Sequence, residues 1–272
     1  MTGYEGRRAV VTGGASGMGD ATVRLLTERG AEVHVLDVRE PSAAFAGFVH
    51  CDLGVPAAID EAVEAVGSPV DAVFCCAGLP PTSAPLDVMA VNFAGNRHLI
   101  EALVPVLPSG GAVACVASIA SFRWLENREW LQELVATPDF GAARRWCEGH
   151  AELIGDGYST SKMALVAYTT SRSFTLAGAG IRINALSPGP ADTAMMPHFE
   201  EAVGPGFFEK MPRPMARNTT AEEQAHALLF LNSPEASALT GVNLFNDGGI
   251  TAAWLSGNAA KPVREGAGGR AQ

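Results

Sequence analysis

Short apolar stretches alternate along most of the chain with longer stretches in which apolar residues recur at helical spacing. The short stretches lie at residues 8–12, 32–37, 48–51, 70–76, 111–117, 181–186 and 242–245. The helical pattern lies at residues 20–26, 56–66, 86–107, 158–177 and 220–231. Strands that alternate with helices pair in parallel, with helices over both faces of the sheet. The pattern therefore predicts an α/β fold with a doubly wound, Rossmann-type parallel sheet of about seven strands.

One domain is expected to contain this whole sheet. The chain has 272 residues, and it shows neither an internal repeat nor a linker that would mark a second domain. We therefore expect a single domain over residues 1–256. Residues 257–272 are rich in Gly and Ala and are expected to form a poorly ordered tail.

A glycine-rich segment directly follows the first predicted strand. Gly13, Gly17 and Gly19 are followed by a helix, by a second strand, and by Asp37 at the end of that strand. This order is typical of a dinucleotide site, because glycines let the backbone approach the pyrophosphate and the helix N-terminus supplies free N–H groups. The glycine spacing differs from GxGxxG, so a simple glycine-rich turn stays open as the alternative.

Asp37 also indicates which dinucleotide binds. A carboxylate at a strand end can accept hydrogen bonds from both ribose hydroxyls of the adenosine, and it would repel a 2′-phosphate. Arg39 is the nearest cation that would offset this repulsion, since neither Ala15 nor Ser16 is basic. The sequence therefore predicts NAD rather than NADP as the cofactor. A solvated acid at a strand end is the alternative.

Tyr158 and Lys162 lie four residues apart in a predicted helix, and this spacing places them on one face. A phenol has a pKa of about 10, and a fixed ammonium group beside it favours the phenolate and lowers that pKa. Such a pair can exchange a proton with an alcohol or a carbonyl. By itself the pair fits equally well an exposed helix face with a lysine that reaches into solvent.

The overall composition narrows the function classes. A net charge of −10 and a pI near 5.1 argue against a nucleic-acid partner, which needs a basic surface. No apolar run is long enough to span a membrane, and the N-terminus has no apolar signal core. The five cysteines form no CxxC motif, which favours a reduced, cytoplasmic protein. Neither His198 nor the other histidines show metal-ligand spacing, so no metal is predicted.

Taken together, these motifs resemble the short-chain dehydrogenase/reductase family over roughly residues 7–250. The resemblance implies four catalytic residues, in which Tyr158 is the acid/base, Lys162 lowers its pKa, Ser118 binds the substrate oxygen and Asn92 helps to hold a relay water. It also implies a set of cofactor contacts, which comprises Gly13, Ser16, Gly17, Met18, Gly19, Asp37, Asp52, Leu53, Cys76, Ala77, Gly78, Tyr158, Lys162, Pro188, Gly189, Ala191 and Thr193.

Two features depart from the family pattern. Cys76 stands where the family usually has an asparagine, at a position that is mainly structural there. Residues 122–156 form an insertion before Tyr158, and it resembles the subgroup that contains bacterial 3α-hydroxysteroid dehydrogenase/carbonyl reductase and coniferyl-alcohol dehydrogenase. We expect the insertion to form two short helices, to change the subunit interface of a homo-oligomer (a dimer or tetramer) and to line part of the substrate pocket. A packed excrescence without a role at the site is the alternative.

The segment at residues 190–217 lies where the family keeps its mobile substrate loop. Its Met and Phe side chains, which suit an apolar ligand, are Met195, Met196, Phe199, Phe207, Phe208 and Met211. The alternative is an ordinary helix that packs on the sheet. We predict an NAD-dependent enzyme that interconverts a hydrophobic secondary alcohol and its ketone, first of all a hydroxysteroid. An aromatic alcohol is the alternative substrate, and an NAD-binding regulatory protein is the alternative without catalysis.

Overall fold

The predicted strands form one seven-stranded sheet. The structure, a computed structural model, describes residues 3–260. The strands are β1 Arg8–Thr12, β2 Glu32–Asp37, β3 Gly47–His50, β4 Ala72–Cys75, β5 Ala112–Val116, β6 Arg182–Pro188, β7 Ala191–Asp192, β8 Thr219–Thr220 and β9 Asn243–Asn246. The main sheet has the order β3-β2-β1-β4-β5-β6-β9, and every neighbouring pair in it is parallel. β7 and β8 form a separate short pair.

Helices cover both faces of this sheet. They are α1 Gly17–Glu28, α2 Pro56–Val66, α3 Pro85–Met89, α4 Asn96–Leu103, α5 Arg128–Val135, α6 Phe140–Gly149, α7 Ala151–Ile154, α8 Tyr158–Ala177, α9 Met196–Val203, α10 Ala221–Asn232 and α11 Ile250–Leu255. Neighbouring residues of β1 serve opposite faces: Val10 belongs to the core under α2, α4 and α8, whereas Val11 belongs to the core under α1 and α10. A strand buried on both faces reads as a continuous apolar run, and the doubly wound prediction is confirmed.

The long helical pattern at residues 86–107 contains a π-helix, Ala90–Gly95, between α3 and α4. A π-turn leaves main-chain carbonyls without their usual i→i+4 partners. Here the side chain of Asn96 donates to the carbonyl oxygens of Val91 at 3.0 Å and Asn92 at 3.2 Å. This contact keeps the helix continuous through the irregular turn.

The insertion forms three helices, α5, α6 and α7, where two were predicted. Asp139 begins α6 by accepting a hydrogen bond from the Ala142 N–H at 2.7 Å. The backbone then leaves helical geometry at His150, with φ −130°, and this break separates α7 from α6. Leu131 and Leu134 are fully buried in the core on the α4 and α8 side. The insertion is therefore part of the packed domain.

The C-terminal part of the domain also differs from the prediction. Residues 250–255 form α11, a helix that the sequence pattern did not indicate. Of the predicted tail at residues 257–272, residues 257–260 follow α11 and the remainder lies outside the described residues. Within residues 3–260, no helix is both long enough and apolar enough to cross a membrane.

Candidate active site

One cavity of about 720 Å³ opens along the carboxyl ends of the parallel strands, where α/β sheets place their ligands. Every predicted site residue except Asn92 lines it. The lining members of the predicted set are Gly13, Ser16, Gly17, Met18, Gly19, Asp37, Asp52, Leu53, Cys76, Ala77, Gly78, Ser118, Tyr158, Lys162, Pro188, Gly189, Ala191 and Thr193. The topology therefore brings together segments that are far apart in sequence.

The glycine loop leaves no room for a side chain at Gly13 or at Gly19. Gly13 has φ +69°, and a Cβ atom there would lie 2.7 Å from the Cα of Ala77. A Cβ atom at Gly19 would lie 2.0 Å from the carbonyl oxygen of Gly13. The side chain of Ser16, the N-cap residue of α1, makes no capping hydrogen bond. The first N–H groups of α1 are thus left without a side-chain cap, and Gly17, Met18 and Gly19 line the cavity. The loop therefore fits the pyrophosphate of a dinucleotide.

Asp37 is fixed at the end of β2, beside this loop. Its two carboxylate oxygens accept hydrogen bonds of 3.0 Å from the main-chain N–H groups of Ala15 and Arg39. The guanidinium of Arg39 lies 3.5 Å from Ser16 Oγ. Each carboxylate oxygen can accept more than one hydrogen bond, so Asp37 can still receive the two hydroxyls of an adenosine ribose.

Tyr158 begins α8 and meets Ser118 in the cavity. Asp156 holds the helix start by accepting a 2.9 Å hydrogen bond from the Tyr158 N–H. Ser118 lies two residues after the end of β5, accepts a hydrogen bond from the Ala120 N–H at 3.1 Å and interacts with the Tyr158 side chain. Burial raises the pKa of Tyr158 to about 12, and the Ser118 hydrogen bond offsets part of this rise.

Lys162 lies one helical turn beyond Tyr158, with its ammonium group 5.7 Å from the centre of the tyrosine ring. Its Nζ donates a 2.8 Å hydrogen bond to the carbonyl oxygen of Val116. Burial lowers the pKa of Lys162 to about 8. The predicted lowering of the Tyr158 pKa by Lys162 is not seen, because burial of the phenol raises this pKa and the opposing effect comes from Ser118.

Asn92 is fully buried and supports the cavity from behind. Its Oδ1 accepts a 2.6 Å hydrogen bond from the Leu79 N–H, and its Nδ2 donates to the Leu79 carbonyl oxygen at 3.0 Å. A Cβ atom at Gly78 would lie 3.2 Å from Asn92 Oδ1 and 3.6 Å from Lys162 Nζ. The side chain therefore shapes the loop after β4, and the relay water stays a prediction.

Known proteins resemble this chain over most of its length. A family model described as "Enoyl-(Acyl carrier protein) reductase" matches residues 148–251, and a model described as "NAD dependent epimerase/dehydratase family" matches residues 9–115. Coniferyl-alcohol dehydrogenase of Pseudomonas sp. (strain HR199 / DSM 7063) is 28% identical, over 92% of this chain and 98% of its own.

The 3-alpha-hydroxysteroid dehydrogenase/carbonyl reductase of Comamonas testosteroni is 30% identical, over 89% of this chain and 96% of its own. A crystal structure of the 3-alpha-hydroxysteroid dehydrogenase from Pseudomonas sp. B-0831, complexed with NADH, is 29% identical, with a TM-score of 0.77 over 92% of this chain and 98% of that one. The chain belongs to the short-chain dehydrogenase/reductase family.

Membership of the short-chain dehydrogenase/reductase family confirms the predicted fold and enzyme class, an alcohol dehydrogenase/reductase. The predicted NAD cofactor is confirmed at the level of the family, through the NAD-dependent family model and the relative solved with NADH. The alternative of an NAD-binding regulatory protein without catalysis is thereby disfavoured. Among residues 3–260, no three His, Cys, Asp or Glu side chains group as ligands for a metal ion.

The substrate half of this short-chain dehydrogenase/reductase is apolar. The Met and Phe side chains predicted in residues 190–217 all line the cavity. Part of this segment is the helix α9, whose Phe199 ring lies 5.0 Å from the Tyr158 ring in an edge-on contact. His198 Nδ1, on the same helix, lies 3.3 Å from Thr82 Oγ1 on the loop after β4. An apolar ligand next to Tyr158 would thus contact α9.

One expectation about this half of the cavity is wrong, and one residue that lines the cavity was not predicted. No residue of the insertion at residues 122–156 lines the cavity, because its apolar side chains, Leu131 and Leu134 among them, are used in the core. Conversely, Trp254 of α11 lines the cavity, although the sequence pattern did not indicate it. A short apolar pattern after Gly248-Gly249 was its only sequence signal.

Proposed function

We propose that the chain is an NAD-dependent dehydrogenase that interconverts an apolar secondary alcohol and its ketone, with a hydroxysteroid as the first candidate substrate. The observation that carries this proposal is the position of Tyr158 and Ser118. They lie between a polar half of the cavity, with the glycine loop and Asp37, and an apolar half lined by Met and Phe side chains. The relatives named for hydroxysteroid and coniferyl-alcohol chemistry support the same class.

NAD is preferred over NADP in this proposal, because the carboxylate of Asp37 is buried and fixed by two main-chain N–H groups. A second negative group beside it would be repelled. Among residues 3–260, the charged side chains that line the cavity are Asp37, Arg39, Asp52 and Lys162. All four lie near predicted cofactor contacts, so within this part of the chain the substrate half offers no fixed countercharge to an ionic substrate.

The side chains of the site divide the proton chemistry between them. When NAD is bound, its nicotinamide ring supplies the hydride acceptor. The Tyr158 oxygen takes the proton of the alcohol or returns it to the ketone, and the Ser118 hydroxyl donates to the substrate oxygen. The raised pKa of Tyr158, about 12, favours the neutral phenol, which is the form that protonates a carbonyl. Lys162 places a cation beneath the ring.

A coniferyl-type aromatic alcohol is the second candidate. The Phe199, Phe207 and Phe208 rings line the cavity, and aromatic rings prefer edge-on and offset contacts with other rings. A flat aromatic alcohol would find such partners here. The Pseudomonas relative named for this alcohol gives the candidate further support.

We also propose a cellular compartment and an assembly state for the protein. All five cysteines are free thiols, which supports a reducing, cytoplasmic compartment. Helices α5 and α7 contact α8, and α6 contacts α3. In the family these surfaces build the subunit interface, so a homo-oligomer of this chain would associate through a changed surface.

A substrate panel tests the proposed function. Hydroxysteroids, simple cyclic secondary alcohols and cinnamyl-type alcohols are offered with NAD and with NADP, and formation of the reduced cofactor is followed by absorbance. We expect the highest kcat/KM for a hydroxysteroid with NAD. Faster oxidation of the cinnamyl-type alcohols would favour the second candidate. Turnover of none of these alcohols would contradict the proposal.

A further inference from the structure

Trp254 occupies an unexpected place in the cavity. It belongs to α11, near the end of the described chain, and it lines the same cavity as Tyr158 and Ser118. The other three tryptophans, Trp124, Trp130 and Trp146, belong to the insertion and do not line this cavity. A large aromatic ring in the substrate half would determine what fits beside the reacting oxygen.

The ring of Phe122 supports Trp254 and is itself in contact with the ring of Phe245; neither phenylalanine lines the cavity. The ring of Phe122 lies 5.7 Å from Trp254 and 6.3 Å from Phe245, in edge-on contacts. Phe122 directly follows the turn Ile119–Ser121, which begins at Ser118. Edge-on aromatic pairs add to the apolar burial of each ring. The indole is therefore fixed relative to the serine that binds the substrate oxygen.

The start of α11 is equally well fixed. The buried carboxylate of Asp247 accepts hydrogen bonds from the N–H groups of Gly249 at 2.9 Å and Thr251 at 2.7 Å. The substrate segment packs on this same turn: Cβ atoms built at Gly249 and Gly248 would lie 3.3 Å from Pro214 and Met215. The helix that carries Trp254 is thus packed, through its first turn, against the segment that carries the apolar side chains.

We infer that Trp254 is a specificity-determining residue, which contacts the part of the substrate remote from the reacting carbon and selects large, multi-ring alcohols over small ones. The inference rests on the proposed function and adds the residue that determines which size of substrate is preferred. The half-buried indole strengthens substrate binding only when the substrate is long enough to cover it. The favourable free energy of binding scales with the apolar area that is removed from water. A small cyclic alcohol at Tyr158 and Ser118 would not cover the indole.

Kinetics of two Trp254 variants test this inference. For Trp254→Ala, we expect kcat/KM for a hydroxysteroid to fall about tenfold or more, whereas kcat/KM for cyclohexanol stays within about twofold. Trp254→Phe should keep most of the steroid activity, because a ring still forms the wall. An unchanged Kd for NADH shows that both variants are folded. Equal losses for both alcohols, or no loss for either, would overturn the inference.

Tryptophan fluorescence provides a second readout that needs no turnover. Addition of a 3-oxosteroid to the parent with NADH should change the tryptophan emission. That change should be lost in Trp254→Phe and kept in the control Trp130→Phe. A change that persists in Trp254→Phe would contradict the inference. Failure of the proposed function has a different signature, since the parent enzyme would then oxidise no alcohol on the panel.

Discussion

Lys162 and Val116 are joined by a buried hydrogen bond, in which Nζ donates to the main-chain carbonyl oxygen at 2.8 Å. Lys162 is 4% exposed, and its pKa is lowered from 10.5 to about 8 because burial penalises the charged form. The ammonium group that serves the active site therefore lowers the stability of the fold near neutral pH.

The variant Lys162→Met should separate the contribution of Lys162 to activity from its cost to the stability of the fold. Below pH 8 the lysine is charged in both the folded and the unfolded chain, and the shift corresponds to a penalty of order 3 kcal/mol. Between about pH 8 and 10.5 the folded chain loses the proton first, so the stability of the parent rises with pH. We expect Lys162→Met to lose most activity but to be at least as stable as the parent at pH 7.

Urea unfolding of the parent and of Lys162→Met across pH 7–10 measures the difference in their free energies of unfolding. The stability advantage of the variant should shrink as the pH rises. An advantage that grows with pH, or a variant that is much less stable at pH 7, would show that the lysine charge is not penalised by burial.

Gly19→Ala should weaken cofactor binding, because its Cβ atom would lie 2.0 Å from the carbonyl oxygen of Gly13. The loop must move to relieve this contact, and we expect the Kd for NADH to rise about tenfold or more. Gly149→Ala is the matched control, since no atom lies within 4 Å of its Cβ position. Fluorescence titration with NADH compares the two; equal affinities would contradict the cradle assigned to the glycine loop.

Asp37→Ser should relax the choice of cofactor. Removal of the carboxylate removes the repulsion of a 2′-phosphate, and Arg39 remains beside Ser16. We expect the ratio of kcat/KM for NADP to that for NAD to rise about 100-fold. The exposed Glu40, which does not line the cavity, provides the control Glu40→Ser. If both variants keep the cofactor preference of the parent, Asp37 does not set it.

Arg97→Met should destabilise the domain while it spares the chemistry. The buried Arg97 guanidinium donates to the carbonyl oxygens of Val135, Thr137 and Asp139 at 2.6–3.3 Å, and so holds the α5–α6 connection. Carbonyls left without a donor cost about 1–3 kcal/mol each, so we expect a loss of about 2–4 kcal/mol on urea unfolding.

The exposed Arg144, which pairs with Glu148 on α6, is the control for that variant. Arg144→Met should change the free energy of unfolding by about 0.5 kcal/mol or less. Equal losses for the two variants would mean that the insertion is not anchored through Arg97. A kcat of Arg97→Met close to that of the parent would show that the insertion acts on stability rather than on catalysis.

The sequence indicated the sheet and the cofactor half of the site because their signals are local. The apolar run at residues 8–12, the glycines behind it and Asp37 lie within one strand–helix–strand unit. Each parallel strand also delivers its last residues to the same edge. This rule indicated Ser118, whereas Tyr158 and Lys162 were indicated by their four-residue spacing in one helix and by the family resemblance.

The features that the sequence missed depend on tertiary packing. The π-helix at Ala90–Gly95 needs the Asn96 side chain, and the break before α7 needs the backbone turn at His150. The apolar pattern of the insertion does not distinguish a pocket wall, which was expected, from a core, and only the packing of Leu131 and Leu134 shows the core. Trp254 reaches the cavity through α11, a helix too short to give a periodic pattern.

We propose that Tyr158 exchanges the proton between substrate and enzyme, and the variant Tyr158→Phe tests this role. The substitution removes the hydroxyl that meets Ser118 and keeps the ring that contacts Phe199. We expect kcat for alcohol oxidation with NAD to fall about 10²–10⁴-fold, with the Kd for NADH within about twofold of the parent. A Tyr158→Phe variant that oxidises the preferred alcohol as fast as the parent would show that Tyr158 does not exchange this proton.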